Sequence, residues 1–388
     1  MRIGFDYNLA ISKLSSSISK RTLEQYKSIP TFKTASPLIY ANDIEIADKA
    51  EMLLVSLVQH LKVIEPDKKL FFNTGDTVAV PDIHGDFVHL IMTLHRHNLL
   101  DEDLNLKKDF TYVFLGDFYN HGKDSDIVDY WLNKQIANGA KIHRIAGNHE
   151  LFFIGRDKNG NLRVKLRHPI TGEEISISAN DLKRDAQNGY LLTEELLKSI
   201  SDGTLLGAYT FLDIKNNVPR LYAHTFVTNN DFERAGIQNN EEVVSFVSSV
   251  NERFQSQGQE VYKRFIDSKQ GDKFDFQEIS EPLFSNPLFN IFHRDEDKRV
   301  DAFFMRVTGV NRNLKITSEI KDKLPYGIYQ IVGHTRVSDF DLPQEQETNK
   351  PLILPEKDGK GFVQFTDVAI GQNYKENDLE RPEVSIQP

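Results

Sequence analysis

Short apolar runs recur along the chain, and five of them are followed, directly or after one glycine, by Asp, His or Asn. The runs comprise residues 77–81, 110–115, 142–146, 221–223 and 328–332. Short β-rich runs bounded by Gly or Asn indicate buried strands. In layered α/β folds the strand ends at one edge of the sheet form the floor of the site. The polar residues that follow these five runs are therefore expected to converge.

Apolar residues at helical spacing separate the first three runs, from Phe87 to Leu99 and from Ile127 to Ile136. The order strand, polar residue, helix, strand predicts parallel strands joined by right-handed crossovers. A stripe from Ile44 to Leu61 predicts a helix that packs on the body. Another stripe, from Val243 to Phe265, predicts a helical insertion, interpreted as a flap beside the site, with packing favoured over recognition as its role.

A chain of 388 residues is long enough for one α/β domain with insertions or for two domains. We divide it into a helical N-terminal extension, a main domain and a polar C-terminal tail. Turn signals around Leu162–Leu166 and Ile175–Ile177 predict a β-hairpin insertion. The expected bounds are 1–70 for the extension, 71–371 for the domain, about 156–180 and 238–280 for its two insertions, and 372–388 for the tail.

Composition excludes several classes of function. The 57 acidic and 47 basic residues give a formal net charge of −10, which argues against a nucleic-acid partner. The absence of cysteine excludes disulfides, zinc–thiolate sites and thiol catalysis. No stretch approaches the roughly 18 apolar residues of a membrane span, and the start does not resemble a signal peptide. A cytoplasmic location is therefore expected.

The polar residues after the five runs are of the kinds that bind transition metals. They stand in Asp82-x-His84-Gly85, in Gly116-Asp117 with Gly122 beyond it, in Gly147-Asn148-His149-Glu150, at His224 and in Gly333-His334. Mixed imidazole, carboxylate and amide ligands suit Mn, Fe, Zn or Co better than Ca or Mg. One such residue after a strand would be an ordinary loop or cap residue, but five motifs together predict a metal site.

In this order the motifs resemble those of the calcineurin-like metallophosphatases, in particular the phosphoprotein phosphatase branch, from about Val78 to Asp367. The resemblance implies an α/β fold in which a β-sandwich is flanked by helices. It also implies two divalent cations, with manganese favoured and iron or zinc as alternatives. The implied ligands are Asp82 and His84 at the first cation, Asp117 between the two, and Asn148, His224 and His334 at the second.

The same resemblance implies that His149 is the general acid, which a pKa near neutrality allows. The family form of the second motif is Gly-Asp-x-x-Asp-Arg-Gly, and two positions of it differ here. Asn120 replaces an acid that would orient His149, and His121 replaces an arginine that would bind phosphate. Imidazole cannot reproduce a bidentate guanidinium. We therefore count Asp117, His149, Asn120 and His121 as candidate catalytic residues, either re-tuned or damaged at the two altered positions.

A compensating arginine is expected further along the chain. Residues 283–287 resemble the family sequence Leu-Trp-Ser-Asp-Pro, and counting on from them reaches Arg299, with Arg294 as a rival. Both arginines, together with His121, are candidate phosphate-binding residues, although a solvated surface is an alternative role for Arg299. Phe365-Thr366-Asp367 stands where eukaryotic members carry Phe-Ser-Ala-Pro-Asn-Tyr, so their active-site tyrosine is absent.

The resemblance implies a phosphoprotein phosphatase that hydrolyses phosphoserine and phosphothreonine monoesters by attack of a metal-bridging hydroxide. Phosphotyrosine is a rival substrate, and small phosphoesters or dinucleoside polyphosphates are further alternatives. A pseudophosphatase that binds without turnover is the non-enzymatic alternative. The chain also resembles the Wip-type effector phosphatases of intracellular bacteria, which would place it in host cytoplasm. The expected partner is a phosphoprotein substrate, and any regulatory partner is left open.

Overall fold

The described part of the computed structural model contains two β-sheets packed face to face, with helices on their outer faces. This is the helix-flanked sandwich that the sequence predicted. The described residues are 37–61, 77–119, 122, 124–151, 155–156, 162–163, 165–167, 174–176, 189–227, 229, 232–233, 236–269, 327–334, 352–355 and 361–367.

The first sheet is parallel and has the strand order β1–β2–β3–β8. Helices connect its first three strands, which confirms the predicted alternation of strand and helix. The strands are β1 (Thr77–Val80), β2 (Thr111–Phe114), β3 (Lys141–Ile145) and β8 (Leu205–Leu206), and the connecting helices are α2 (Phe87–Arg96) and α3 (Ser125–Ala137).

The second sheet is mixed and has the order β12–β13–β11–β10–β9. Its three central strands are parallel, and the two edge strands pair antiparallel with them. The strands are β9 (Tyr209–Asp213), β10 (Val218–Ala223), β11 (Tyr329–Val332), β12 (Leu352–Pro355) and β13 (Phe362–Phe365).

The inner faces of the two sheets share one apolar layer. Ala79, Val113 and Ile145 of the first sheet are buried against Tyr222 and Ile331 of the second. Alternate residues of the same strands face the helices, because successive side chains of a strand point to opposite sides. Strands buried on both faces are apolar almost throughout. This explains why the runs in the sequence were continuous rather than alternating.

Helix α1 (Pro37–Leu61) packs on α3, so the helical part of the N-terminal segment belongs to the main body. Its apolar side chains join the core that lies between the helices and the first sheet. Two ion pairs support the contact: Lys49 with Asp126 at 3.5 Å, and Lys134 with Glu51. The predicted domain boundaries near residues 70 and 371 lie outside the described residues.

Helices α5 (Gly189–Ser201) and α6 (Asn240–Lys269) pack against each other, and α6 also contacts β9 and β10. The axes approach closely at Gly258, where an added Cβ would lie 2.3 Å from Ile200 Cγ2. The apolar stripe of α6 is buried in these contacts. These contacts agree with the packing role favoured from the sequence, and the interpretation as a flap stays a prediction.

The segment around the predicted hairpin forms two small antiparallel pairs. Strand β6 (Lys165–Arg167) pairs with β7 (Glu174–Ser176), close to the expected hairpin. Strand β5 (Leu162–Arg163) pairs instead with β4 (Gly155–Arg156), so the predicted first strand is divided between two partners.

Among the described residues, no helix combines the length and apolar character that a membrane crossing requires.

Truncation of Leu57 tests whether α1 is part of the core. This side chain is 1% exposed, and Leu57→Ala should lower the free energy of unfolding by about 2–5 kcal/mol because it leaves a cavity. Val55 on the same helix is 38% exposed, so Val55→Ala should change stability by less than about 0.5 kcal/mol. Urea unfolding measures both, and equal small effects would show that α1 is only loosely attached.

Candidate metal centre

Side chains from the ends of five strands meet at one edge of the sandwich. Strand β1 leads to Asp82 and His84, β2 to Asp117, β3 to His149, β10 to His224 and β11 to His334. All six side chains lie largely inside the protein, and that of His149 is the most exposed at 11%. The structure thus brings together residues that the sequence separates by up to 252 positions.

Asp117 stands between two groups of imidazoles. Its Oδ2 lies 3.8 Å from Nε2 of His84 and 3.8 Å from Nε2 of His149. Its Oδ1 lies 3.4 Å from Nε2 of His224, whose ring packs against that of His334. Two groups of candidate ligand atoms result, His84–Asp117–His149 and Asp117–His224–His334, each with all atoms within 4.8 Å of one another. Asp117 belongs to both.

The hydrogen bonding of His224 leaves its Nε2 with a lone pair that can bind a cation. Its Nδ1 lies 2.7 Å from the carbonyl oxygen of Leu115, and because a carbonyl only accepts, Nδ1 carries the proton. Nε2 then keeps its lone pair, 3.0 Å from Nδ1 of His334. Burial lowers the pKa of His224 to about 4, so the ring is neutral at physiological pH. A neutral imidazole is the form that binds metals.

Asp82 is held by the backbone of the neighbouring sheet. Both of its carboxylate oxygens accept from the His334 N–H, at 3.0 and 2.9 Å. Burial raises the pKa of Asp82 well above its usual value, and the charges of Asp367 and Asp117 add to the effect. Asp82 belongs to neither group of closely spaced ligand atoms. His149 belongs to the group that contains His84 and Asp117. The predicted division of ligands between two cations therefore stays a prediction.

Glycines allow the carboxylates to lie against the backbone. A Cβ on Gly333 would lie 2.2 Å from Asp82 Oδ1, and one on Gly147 would lie 2.3 Å from Asp117 Oδ1. Both distances are far shorter than real contacts. The motif glycines therefore leave the space that the acidic side chains occupy.

Three of the candidate ligands have left-handed backbone conformations. The φ angles are +51° at His84, +51° at Asp117 and +60° at His334. Such angles are uncommon for residues other than glycine and cost of order 1–3 kcal/mol each. Strain of this kind persists where packing and hydrogen bonds fix the backbone, and here it turns the side chains after three different strands toward one point.

The structure adds Glu150, to which the sequence analysis gave no role. This residue is fully buried, and its carboxylate accepts from the N–H groups of Asp117 at 2.6 Å, Phe118 at 2.7 Å and Gly147 at 2.8 Å. It ties the loop after β2 to the loop after β3. Burial raises its pKa to about 7, although these donors act in the opposite direction.

A signal for Glu150 was present in the sequence. Helix α4 (Asn148–Leu151) begins directly after Gly147, so Glu150 occupies the third helical position. A Glu at that position commonly reaches back to the N–H of the capping residue, and here it accepts from Gly147. The same side chain then reaches the second motif through space, which local sequence does not reveal.

Several predicted site residues lie outside the described residues: Asn120, His121, Arg294 and Arg299. The backbone of Asn148 is described as the first residue of α4. The neighbour of Asn120 is fixed, because the Tyr119 hydroxyl donates to Asp129 at 2.7 Å, and Asp129 pairs with Arg144 at 3.5 Å. The roles of these predicted residues stay predictions.

The residues present fit divalent cations. Carboxylate oxygens and neutral imidazole nitrogens converge in a buried space, and the shared carboxylate of Asp117 suits two adjacent ions. Burial, and then the charges of Asp367 and Asp117, raise the pKa of Asp82. Bound cations would offset the repulsion between these charges, because they are the largest local charges in such sites.

Residues 76–217 match the calcineurin-like phosphoesterase family model. This stretch is similar to the calcineurin-like phosphoesterase family over less than half of the chain. It contains the first three motifs and the strands of the parallel sheet, while His224 and His334 lie beyond the matched residues.

Two curated relatives cover parts of the chain. The zinc-dependent endopolyphosphatase of Saccharomyces cerevisiae is 25% identical over 190 residues, which are 46% of this chain and 55% of that protein. The Caenorhabditis elegans protein C27B7.6, whose name places it provisionally among serine/threonine-protein phosphatases, is 31% identical over 91 residues. These are 23% of this chain and 18% of that protein. The chain thus spans about half of one relative and a fifth of the other.

Solved phosphatase structures align with this chain with low TM-scores. A cold-active protein tyrosine phosphatase aligns with 81% of this chain and 75% of its own, at 16% identity and a TM-score of 0.40. A protein serine/threonine phosphatase from Saccharomyces cerevisiae aligns with 57% of this chain and 55% of its own, at 17% identity and a TM-score of 0.26. Scores this low do not discriminate between substrates.

Removal of the Glu150 carboxylate should destabilise the protein even without metal. Glu150→Ala would leave three backbone N–H groups without this acceptor, and each buried, unsatisfied donor costs about 1–3 kcal/mol. We expect a loss of roughly 3 kcal/mol or more in urea unfolding with EDTA present. The control is Glu260→Ala, which removes an exposed ion pair with Arg264 on α6 and should cost less than about 1 kcal/mol. Similar losses in both variants would contradict the role given to Glu150.

Proposed function

We propose that this protein is a dinuclear metal-dependent phosphatase that hydrolyses phosphoserine and phosphothreonine monoesters in proteins. One observation carries the proposal. The two oxygens of Asp117 face different imidazole groups, Oδ2 toward His84 and His149 and Oδ1 toward His224. A single buried carboxylate so placed is suited to two adjacent cations, and paired metals are a common solution for phosphate ester hydrolysis.

Two bound divalent cations would lower the pKa of a coordinated water and neutralise phosphoryl oxygens. The protein residues keep this site in its working form. His224 is neutral, and Asp82 and Asp117 are fixed by backbone N–H groups and glycines. Each of them is therefore oriented before substrate arrives, which limits the rearrangement that catalysis requires.

His149 is suited to proton transfer as well as to metal binding. The backbone N–H of His149 donates to Asp117 Oδ1 at 2.9 Å. The imidazole ring of His149 meets that of His84 edge to face, with 4.8 Å between the ring centroids. The side chain is 11% exposed, so it lies at the border between the buried ligands and solvent. An imidazole there can give a proton to the departing alkoxide. The general-acid role that the resemblance implied is therefore retained as part of the proposal.

Manganese is the proposed cation, with iron or zinc as alternatives. The side chains in the two groups are imidazoles and a carboxylate, and such a donor set accepts all three metals. The yeast relative is named for zinc dependence, which is a statement about that protein. Metal identity therefore has to be measured, by activity with each cation after removal of bound metal.

The substrate proposal favours protein phosphoserine and phosphothreonine, in line with the name of the Caenorhabditis elegans relative. Phosphotyrosine is a rival, because Asn120 and His121 depart from the family motif and the family tyrosine is missing after Asp367. Polyphosphate is a second candidate, since the yeast relative is an endopolyphosphatase and aligns over 190 residues. The cytoplasmic location and the Wip-type likeness stay predictions.

Hydrolysis of p-nitrophenyl phosphate with added Mn²⁺ tests the enzymatic proposal. The wild type should be active. Asp117→Asn should lower kcat/KM at least about 100-fold and weaken Mn²⁺ binding, because it removes the shared carboxylate charge. His149→Ala should lower kcat by about 10²–10⁴-fold while keeping most Mn²⁺ binding, as expected for a general acid.

His95 of α2 provides a matched control, because His95→Ala removes an imidazole outside both candidate ligand groups and should leave activity unchanged. A wild type that binds Mn²⁺ but hydrolyses nothing with Mn, Fe or Zn would favour the pseudophosphatase alternative. Loss of Mn²⁺ binding in His149→Ala would assign that side chain to the metal ligands instead.

A substrate panel tests the specificity. Matched phosphoserine, phosphothreonine and phosphotyrosine peptides should be compared with linear polyphosphate at equal Mn²⁺ concentration, with phosphate release as the readout. We expect kcat/KM to be at least about tenfold higher for phosphoserine or phosphothreonine than for the other two substrates, equivalent to a difference of about 1.4 kcal/mol in transition-state binding. A preference for phosphotyrosine or polyphosphate would reject the substrate class and leave the hydrolase in place.

A further inference from the structure

The acidic residue Asp367 follows a sixth strand end at the same edge of the sandwich. Strand β13 runs parallel to β11, with Phe365 opposite Val332. Asp367 and His334 each lie two residues beyond this pair. They therefore stand side by side after the ends of the two strands. Thr366 fixes this alignment, because its backbone N–H and its hydroxyl both donate to the Val332 carbonyl at 2.8 Å.

Asp367 is buried close to another carboxylate. The residue is 1% exposed, like Asp82. Asp82 accepts from the backbone N–H of His334, so Asp82 and Asp367 both lie next to the end of β11. Three carboxylates therefore share the edge at which the imidazoles meet. In a metal-free protein their mutual repulsion opposes folding, so a fold-supporting role for the charge alone does not explain this arrangement.

We propose that Asp367 is a positioning residue of the metal centre, whose negative charge beside Asp82 and His334 increases the affinity of the site for divalent cations. The inference rests on the proposed metal centre, and it does not depend on which phosphate ester is hydrolysed.

The test replaces the carboxylate with an amide of the same shape. Asp367→Asn should weaken Mn²⁺ binding by about 10–100-fold in calorimetric titration of EDTA-treated, dialysed protein, as is typical when a group that supports metal ligands is removed. The same change should leave the Tm of the metal-free protein unchanged or raise it, because a buried repulsion is lost. Asp367→Glu restores the charge and should recover part of the affinity.

Asp213 is a matched control on β9 of the same sheet. It is 8% exposed and pairs with Arg220 at 2.8 Å, and the candidate ligand groups do not include it. Asp213→Asn should lower the Tm of the metal-free protein, since it breaks a buried ion pair, and should leave Mn²⁺ affinity unchanged. The two acids are thus expected to show opposite patterns.

Unchanged Mn²⁺ affinity in Asp367→Asn would overturn the inference, and so would a loss of metal-free stability with unchanged affinity, the pattern of Asp213→Asn. Equal loss of affinity in the Asn and Glu variants would also overturn it, because shape rather than charge would then be responsible. A wild type that binds no divalent cation would remove the metal centre and this inference together. A wild type that binds Mn²⁺ without hydrolysing phosphate esters would reject the proposed function alone.

Discussion

Repulsion between carboxylates buried at one edge of the sandwich is the constraint on which the rest of the site depends. Asp82, Asp117, Glu150 and Asp367 are each at most 2% exposed. A buried charge is costly unless hydrogen bonds or opposite charges compensate it. Backbone N–H groups compensate Asp82 and Glu150, and Asp117 accepts from the N–H of His149. Cations would complete the compensation, which connects metal binding directly to the stability of the fold.

The ends of the strands place the backbone N–H groups that compensate these buried carboxylates. Parallel strands of both sheets finish at the same edge, so their first loop residues present N–H groups and side chains to one space. The apolar layer between the sheets holds these strand ends at fixed positions. The left-handed residues His84, Asp117 and His334 each donate a backbone N–H, to the Asp117 carbonyl, to Glu150 and to Asp82 respectively. These hydrogen bonds offset backbone strain at the candidate ligands, and such strain is common at functional sites.

Local patterns in the sequence predicted the strands, the crossover helices and the side chains that meet at the edge. They could not predict interactions that depend on three-dimensional register. Glu150 acts mainly on backbone N–H groups of a motif 33 positions away, and Asp367 lies beside His334 only because β13 pairs with β11. The apolar stripe of α6 predicted a helix correctly, but the partner that buries it, α5, comes from a distant segment. Periodicity gives the face of a helix and leaves its partner open.

Asn120 and His121, which depart from the motif that this sequence resembles, stand between two positions that are anchored to the body. Tyr119, directly before them, is buried and donates to Asp129, which Arg144 holds in turn. Gly122, directly after them, donates its N–H to the His84 carbonyl at 2.6 Å. Both flanks of the altered segment are therefore anchored to the body, and the second anchor involves a candidate ligand. The anchors use Tyr119 and Gly122 rather than the two altered positions, so the link between this segment and the candidate metal centre does not require a particular side chain at 120 or 121.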